Sequence, residues 1–427
     1  MSQTTIEKQE ETNTQTVGVF DVQADSLSGF DYSKLIVQFG SEEIQDDLIE
    51  RIERLTGKKA HHFLRRRIFF SHRDMHKLLD FYEQGRPFYL YTGRGASSEA
   101  LHVGHLIPFM FSKYLQDVFD VPLVIQMSDD EKFLVKDELE TDDAARLTIE
   151  NSKDIIACGF DMKKTFIFSN MEYVGKMYKT ILQIQKSVNV SQVKGVFGFT
   201  DSDNIGKFAY PAIQAAPSFY TSFPHIFPDQ VVKPQSSDKK KQSPAKKKRD
   251  IMCLIPCGLD QDPYFRVTRD VAPKLGFQKP VLVHSKFLPA LGGADKKMSA
   301  SSKQSSIFMT DTPQMVKKKI NSAITGGGNT KEDQESNGAN LSVDVPFKYL
   351  EFFLEDDEKL EEIREKYSTG KMLSGQVKQI LIDLINDMIE EHKARRELVT
   401  DENVKEFFAI RNLEFKLPQK SGVPPQQ

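Results

Sequence analysis

The chain has 427 residues, 39% of them hydrophobic and 28% charged, with a formal net charge of -3 at pH 7. That length accommodates two or three domains, and that balance calls for globular cores and excludes wholesale disorder. With so little net charge, any contact to nucleic acid must come from a local basic patch, and no apolar run approaches the ~20 residues of a membrane span.

Residues 1 to about 29 carry few apolar side chains and read as a flexible leader. Their start, MSQTTIEKQEETNTQ, is unlike a secretory signal or an Arg-rich transit peptide, so a cytoplasmic location is expected. Order is expected from Phe30, in an N-terminal extension over 30–86. There Ser41 is the expected N-cap of a helix with Glu42 and Glu43 in its first turn. Ile44, Leu48, Ile49, Ile52 and Leu55 make its apolar face, and Gly57 stops it. Residues 61–70 read as a short strand or hairpin arm, with Arg65, Arg66 and Arg67 on a solvated edge.

From 87 to 311 short apolar strands alternate with helices. Strands are expected at 87–93 (PFYLYTG), 121–126 (VPLVIQ), 165–169 (TFIFS), 251–256 (IMCLIP) and 281–284. Helices are expected at 142–158, 171–188 and 262–275. Another should open at His102, with Val103, Leu106, Ile107, Met110, Tyr114, Leu115 and Val118 on one face. This is the pattern of an α/β protein with a Rossmann-like doubly wound parallel sheet, whose ligands bind at the carboxyl ends of the strands. Cys253 and Cys257 have no second pair to complete a zinc site and read as buried free thiols, and three cysteines suit a reducing compartment.

The sheet pattern is interrupted at 233–249 (KPQSSDKKKQSPAKKKR), read by composition as a disordered insertion. It suits a solvated loop, a contact to a nucleic-acid backbone, or a nuclear-localisation-like string. Beyond Thr312 the pattern is helical. Val377, Ile380, Leu381, Leu384, Ile385, Met388 and Ile389 share one helix face, so an all-α C-terminal domain is expected over 312–415, followed by a tail at 416–427.

Two strings carry chemistry: His102-Val103-Gly104-His105 and Lys297-Met298-Ser299-Ala300-Ser301. The first follows a strand and a small-residue turn (Gly93, Arg94, Gly95, Ala96, Ser97, Ser98), a geometry that brings backbone N–H groups and a helix N-terminus to a phosphate. The histidines lie one helical turn apart, so both can reach a triphosphate. Lys297, on a Gly-, Ser- and Ala-rich loop, can reach a leaving pyrophosphate, with Ser299 and Ser301 as short donors. Each string alone is weak evidence. In conjunction they point to an ATP-using enzyme.

In this order and context the two strings resemble the paired signatures of class I aminoacyl-tRNA synthetases. Longer segments resemble the eukaryotic, cytoplasmic type of tryptophanyl-tRNA synthetases from about Phe30 to about Phe415. They include YTGRG with SSEALHVGHLIPF, VPLVIQMSDDEKF, GVFGFTDSDNIGK, PAIQAAPSF, LDQDPYFRVTRDVAPKL, FLPAL with KMSAS, and FFLEDD. The resemblance implies catalytic roles for Lys297, His102 and His105. It implies an ATP site from Gly93, Arg94, Gly95, His102, Gly104, His105, Gly258, Asp260, Lys297, Met298, Ser299 and Ser301. It further implies a tryptophan pocket from Tyr91, Gln126, Glu131, Gln214 and Gln261, with Lys132 at its mouth. ATP as substrate, Mg2+ accompanying it, no protein-held metal, L-tryptophan, tRNA(Trp) and a homodimer complete the set. The C-terminal helices would recognise the anticodon, and residues 61–75 would cover the ATP site.

The residue chemistry agrees. An indole N–H only donates, so its pocket needs acceptors, which glutamine and tyrosine supply. Asp260 beside Gln261 keeps a tyrosyl specificity open. Three positions depart from the pattern: Ala96 replaces a usual proline, Ala300 replaces the second lysine of the general class I loop, and Gly258 stands where relatives often have alanine. A nucleotidyl transferase without tRNA would not need the C-terminal helices, and a non-catalytic relative would have lost signature residues that are all present here.

Overall fold

In a computed structural model of the chain, the described residues are 15–19, 22–24, 26, 28–228, 251–299, 302–328 and 330–415. The lysine-rich insertion, the tail, Ala300 and Ser301 lie outside them. Among the described residues, apolar, β-branched and aromatic runs form most of eleven strands: β1 Thr16–Val17, β2 Val22–Gln23, β3 Glu42–Glu43, β4 Phe69–Arg73, β5 Phe88–Arg94, β6 Leu123–Met127, β7 Thr165–Ser169, β8 Met252–Gly258, β9 Val281–Ser285, β10 Pro289–Ala290 and β11 Gly293–Lys297.

The main sheet has the order β3-β4-β9-β8-β5-β6-β7. The last five in that order are mutually parallel, and β4 joins them antiparallel to β9. Every residue of β6, β7 and β9 is buried, as strands covered on both faces require. The covering helices lie where the sequence pattern placed them, at Val103–Phe119, Thr141–Ile156, Asn170–Gln185 and Asp262–Val271. From β5 the chain runs one way to β6 and β7 and then returns to the other side for β8 and β9. This reversal opens a crevice at the carboxyl ends, and the doubly wound α/β fold is thereby established.

The C-terminal helices run from Pro313–Asn321 to Asp401–Phe408. The long Ser374–Glu397 helix buries Val377, Leu381, Ile385 and Ile389, with Ile380, Leu384 and Met388 partly buried on the same core. That core is continuous with the sheet's: Phe63, Phe109, Phe111 and Leu115 belong to the same cluster as Tyr349, Leu350 and Phe352.

Three local expectations are corrected. The helix before Gly57 is Asp46–Thr56, with Gln45 rather than Ser41 at its N-cap and Asp46 and Asp47 in its first turn. Glu42 and Glu43 instead pair with His72 and Ser71 as the edge strand β3, where exposed acids discourage further pairing. Gly57, at φ +65°, does end the helix. Within the supposed flexible leader, β1 and β2 form a hairpin, Gln23 pairs with Lys296 of β11, and Val17 is buried. Backbone pairing to an open edge supplies order that composition does not reveal.

The arginines of 61–70 do not lie on a solvated strand edge. His62–Arg65 is a helical turn, and Arg65 and Arg66 both pair with Asp357. Arg66 also donates to the carbonyls of Glu351 and Leu354, and His62 Nε2 lies 2.8 Å from the Phe352 carbonyl oxygen. These are orphan acceptors at the C-terminus of the Val345–Phe353 helix, where a cation is favoured.

Candidate active site

β5 delivers Tyr91, Gly93 and Arg94 to the crevice, and the chain then turns to enter the Val103–Phe119 helix with His102 at its N-cap. The backbone N–H of Val103 donates to the Ile307 carbonyl and that of Met309 to the Leu101 carbonyl, both at 2.9 Å. The first signature is thus tied to the segment that follows the second. The His102 and His105 rings stack with centroids 3.4 Å apart. A Cβ on residue 104 would stand 3.2 Å from the His102 ring, so Gly104 admits that ring.

Arg94 is the cation beneath the histidines. Its Nη1 lies 2.8 Å from His105 Nε2 and its Nε 3.4 Å from Asn151 Oδ1, while its buried Nη2 has no partner. Burial lowers the Arg94 guanidinium to about 10, still protonated at neutral pH. Burial, reinforced by Arg94 and Lys297, lowers His102 to about 3, and burial and Arg94 push His105 well below its usual value. Both rings are therefore neutral. A neutral imidazole has one N–H, yet both ring nitrogens of His105 face donors: Nδ1 meets the His102 backbone N–H at 3.2 Å, and Nε2 meets Arg94. One of these contacts is unsatisfied in either tautomer. An oxyanion entering between Arg94 and His105 gives the surplus N–H an acceptor, as does one beside the partnerless Arg94 Nη2.

Two lysines also line this space. Lys297, at the end of β11, pairs with Asp260 at 2.6 Å, and Lys132 pairs with Glu131 at 2.7 Å. A Cβ at residue 95 would stand 2.3 Å from Lys132 Cε, so only glycine there leaves that side chain in place. Deeper in, Tyr91 Oη lies 2.5 Å from Gln126 Oε1 and 2.9 Å from the Gln214 carbonyl, a single proton between two acceptors. Gln214 Nε2 donates to Gln261 Oε1 at 3.2 Å.

One cavity of about 470 Å³ unites these groups. It takes in the whole expected amino-acid set, Tyr91, Gln126, Glu131, Lys132, Gln214 and Gln261. It also takes in the expected phosphate set, including Gly258, Asp260, Met298 and Ser299. Ser301 lies outside the described residues. The sequence reading missed Val19, Ser128, Tyr210 and Tyr264, which also line the cavity. The tyrosines come from helices whose periodicity marks them as core, and Val19 comes from the leader, where nothing in the sequence marks it. The expected cover at 61–75 is corrected: those residues build a helical turn and β4 and contribute no cavity wall, whereas the leader hairpin does. Cys253 and Cys257 are free and buried on β8, and burial raises both thiols far above their usual range, so neither is a nucleophile.

A family model for class I tRNA synthetases (W and Y) matches residues 83–390. The chain is 58% identical over 403 residues to the cytoplasmic tryptophan–tRNA ligase of Rattus norvegicus, covering 93% of this chain and 80% of that one. It superposes on the tryptophanyl-tRNA synthetase of Plasmodium falciparum with TM-score 0.81 and 47% identity, covering 89% of this chain and 98% of the other. The corresponding enzyme of Encephalitozoon cuniculi, solved bound to tryptophan, is similar with TM-score 0.80 and 42% identity, covering 90% and 98%.

Proposed function

We infer the chemistry of this cavity from the premise that the chain belongs to the class I tRNA synthetases of the tryptophan and tyrosine family. It is a tryptophan–tRNA ligase, which activates L-tryptophan with ATP and transfers it to tRNA(Trp), and its location is that named for its relatives, the cytoplasm. The tyrosyl alternative gives way to the identity with tryptophan ligases over most of the chain.

At the level of residues, activation joins the tryptophan carboxylate to the α-phosphorus of ATP and releases pyrophosphate. No protein nucleophile is needed, only alignment and stabilisation of the charge developing on the phosphates. The observation that carries the assignment is the convergence of Arg94, Lys132, Lys297 and two neutral histidines on one cavity that is also lined by side-chain amides and Tyr91. Lys297 exchanges Asp260 for the leaving pyrophosphate, which confines its full effect to the transition state. His102 and His105, neutral, donate to the triphosphate without adding charge to bound product. Glu131 receives the α-ammonium of tryptophan, and Gln126 accepts the indole N–H. ATP would enter as its Mg2+ complex, which would lower the charge of the triphosphate, with Asp260 available as an oxygen donor once Lys297 turns to phosphate.

The C-terminal helices are assigned to the anticodon. A homodimer is assigned too, supported by the exposed Tyr178 and Leu182 on the Asn170–Gln185 helix, and sedimentation equilibrium reads it directly. The central test is tryptophan-dependent ATP–pyrophosphate exchange. Lys297→Ala should slow it ~10²–10³-fold while leaving tryptophan binding near that of the parent. Exchange at the parental rate in that variant overturns the role given to Lys297.

A further inference from the structure

Behind the amino-acid pocket a chain of side-chain amides ends on a carboxylate. Asn170, fully buried at the first position of the Asn170–Gln185 helix, donates through Nδ2 to Asp130 Oδ1 at 2.7 Å. Its Oδ1 accepts from Gln126 Nε2 at 2.8 Å. Gln126, 2% exposed, turns its Oε1 to Tyr91 and the cavity. The direction of this chain follows from its far end. An ionised carboxylate only accepts, and Asp130 Oδ1 is held in place by the Glu131 backbone N–H at 2.8 Å. Asn170 must therefore present NH2 to Asp130 and oxygen to Gln126, and Gln126 must present NH2 to Asn170 and oxygen to the pocket. Flipping either amide sets NH2 against NH2 or oxygen against oxygen between two buried side chains or against Asp130. The Ile213 carbonyl favours the same orientation, but at 3.5 Å from Gln126 Nε2 it is too distant to impose it.

We propose that Asn170 and Asp130 are specificity-positioning residues, which lock the Gln126 amide with its oxygen toward the pocket so that the site accepts an indole N–H and rejects a side chain that needs a donor. When an indole N–H reaches Gln126 Oε1, the Tyr91 proton, which bridges to that oxygen at 2.5 Å in the empty pocket, turns to the Gln214 carbonyl at 2.9 Å, and the pocket offers two acceptors, Gln126 Oε1 and Tyr91 Oη. An indole N–H serves both. A tyrosine phenol, with one proton for two acceptors, leaves an oxygen opposed to an oxygen. A flipped Gln126 would present a donor and accommodate the phenol, so the lock itself discriminates. Neither Asn170 nor Asp130 needs to touch the substrate.

The inference rests on the reading that Gln126 meets the indole, and the experiment separates the two. Pyrophosphate exchange is measured for the full-length protein with tryptophan, tyrosine and 3-benzothienylalanine, the last lacking the indole N–H. Asn170→Leu should raise the KM for tryptophan roughly tenfold, with kcat changed less than about twofold, and should compress the preference for tryptophan over both analogues. The double variant Asn170→Asp with Asp130→Asn reverses the donor and acceptor between the two while still offering Gln126 an acceptor. It should restore preference above that of either single substitution. A merely structural role for Asn170 predicts no such recovery. Unaltered preference in Asn170→Leu overturns the proposal, as does a double variant no better than its singles. The swap decides the matter if Asn170→Leu does not fold. Gln126→Ala is the control: if it leaves tryptophan KM and preference untouched, the pocket reading fails; if it weakens both while Asn170→Leu does not, only the lock fails.

Discussion

At the scale of the residue, the site works by withholding partners until substrate arrives. Arg94 Nη2 and His102 Nδ1 are buried without a hydrogen bond, and Lys297 and Lys132 are held by carboxylates that phosphate can replace. Gly95 is the simplest place to disturb this arrangement. In Gly95→Ala the new methyl group occupies the space of Lys132 Cε, and that flexible side chain swings out of the cavity. Exchange should slow roughly tenfold, as expected for displacing one cation, with a melting temperature close to the parent's. A parental rate would show that Lys132 does no work at the mouth. A different buried cluster has only a structural task. Ser71 Oγ lies 2.9 Å from His284 Nδ1, and His284 Nε2 lies 3.1 Å from Asp262, which also pairs with Arg73 at 2.9 Å. The three residues mimic a hydrolytic triad, but all are fully buried and no substrate reaches them. Burial alone would raise the Asp262 carboxyl, yet His284 and Arg73 outweigh it and hold it down at about 2. Asp262→Asn leaves Arg73 without its counter-charge and should cost about 3–5 kcal/mol in urea denaturation. A loss below about 1 kcal/mol would mean that water or a neighbour replaces the carboxylate.

At the scale of the element, what was legible in the sequence depended on how local the stabilising interaction is. The parallel strands were readable because burial on both faces forces continuous apolar runs, and β7 was placed to the residue. The two signatures were readable because each is a short contiguous string, whereas the pocket residues, scattered over strand ends and helices such as Ile205–Ala215, were reached only through the resemblance. Ser41 misled because its capping pattern competed with pairing between β3 and β4, a tertiary contact. Arg65 and Arg66 misled because Asp357 is some 290 positions away. The leader misled most, since a strand that adds to a sheet edge through its backbone needs no particular side chains. That leader is placed to matter: β2 pairs with β11, which ends at Lys297, and Ala24 N–H donates to the Asp295 carbonyl at 3.1 Å. Removing residues 1–24 should free the Lys297 hairpin, raise the KM for ATP several-fold and slow exchange. Tryptophan binding should survive, because its pocket lies on β5, β6 and the flanking helices. The chain contains no tryptophan, so fluorescence of the bound amino acid reads that binding directly. A truncated protein with parental ATP kinetics would show that the hairpin holds its own shape.

At the scale of the whole molecule, a single core joins the sheet to the C-terminal helices, and the contacts that cross between them are charged as well as apolar. His392 Nε2 lies 3.3 Å from Asp154, Arg396 pairs with Asp154 and Glu150, and the His62 and Arg66 contacts close the other side. The chain should therefore unfold in one cooperative transition rather than shed its helices first. How that transition moves with pH follows from the histidines. Burial lowers His62 and His72 to about 4 and His102 to about 3. Each takes a proton near pH 6.5 when unfolded and refuses it when folded. Their depressed values mean that folding is fully favoured above about pH 6.5 and penalised as pH falls toward 3–4, by up to about 1.4 kcal/mol per pH unit for each. Denaturation midpoints in urea should be flat from pH 7 to 8 and drop steeply between pH 6.5 and 5, well before most carboxylates titrate. Replacing His72, which lies away from the cavity, by Gln should shallow that drop without altering exchange at pH 7.5. If stability is level down to pH 5, the buried rings find a proton acceptor in the folded state, and the neutral state assigned to His102 in the phosphate site must be given up with it.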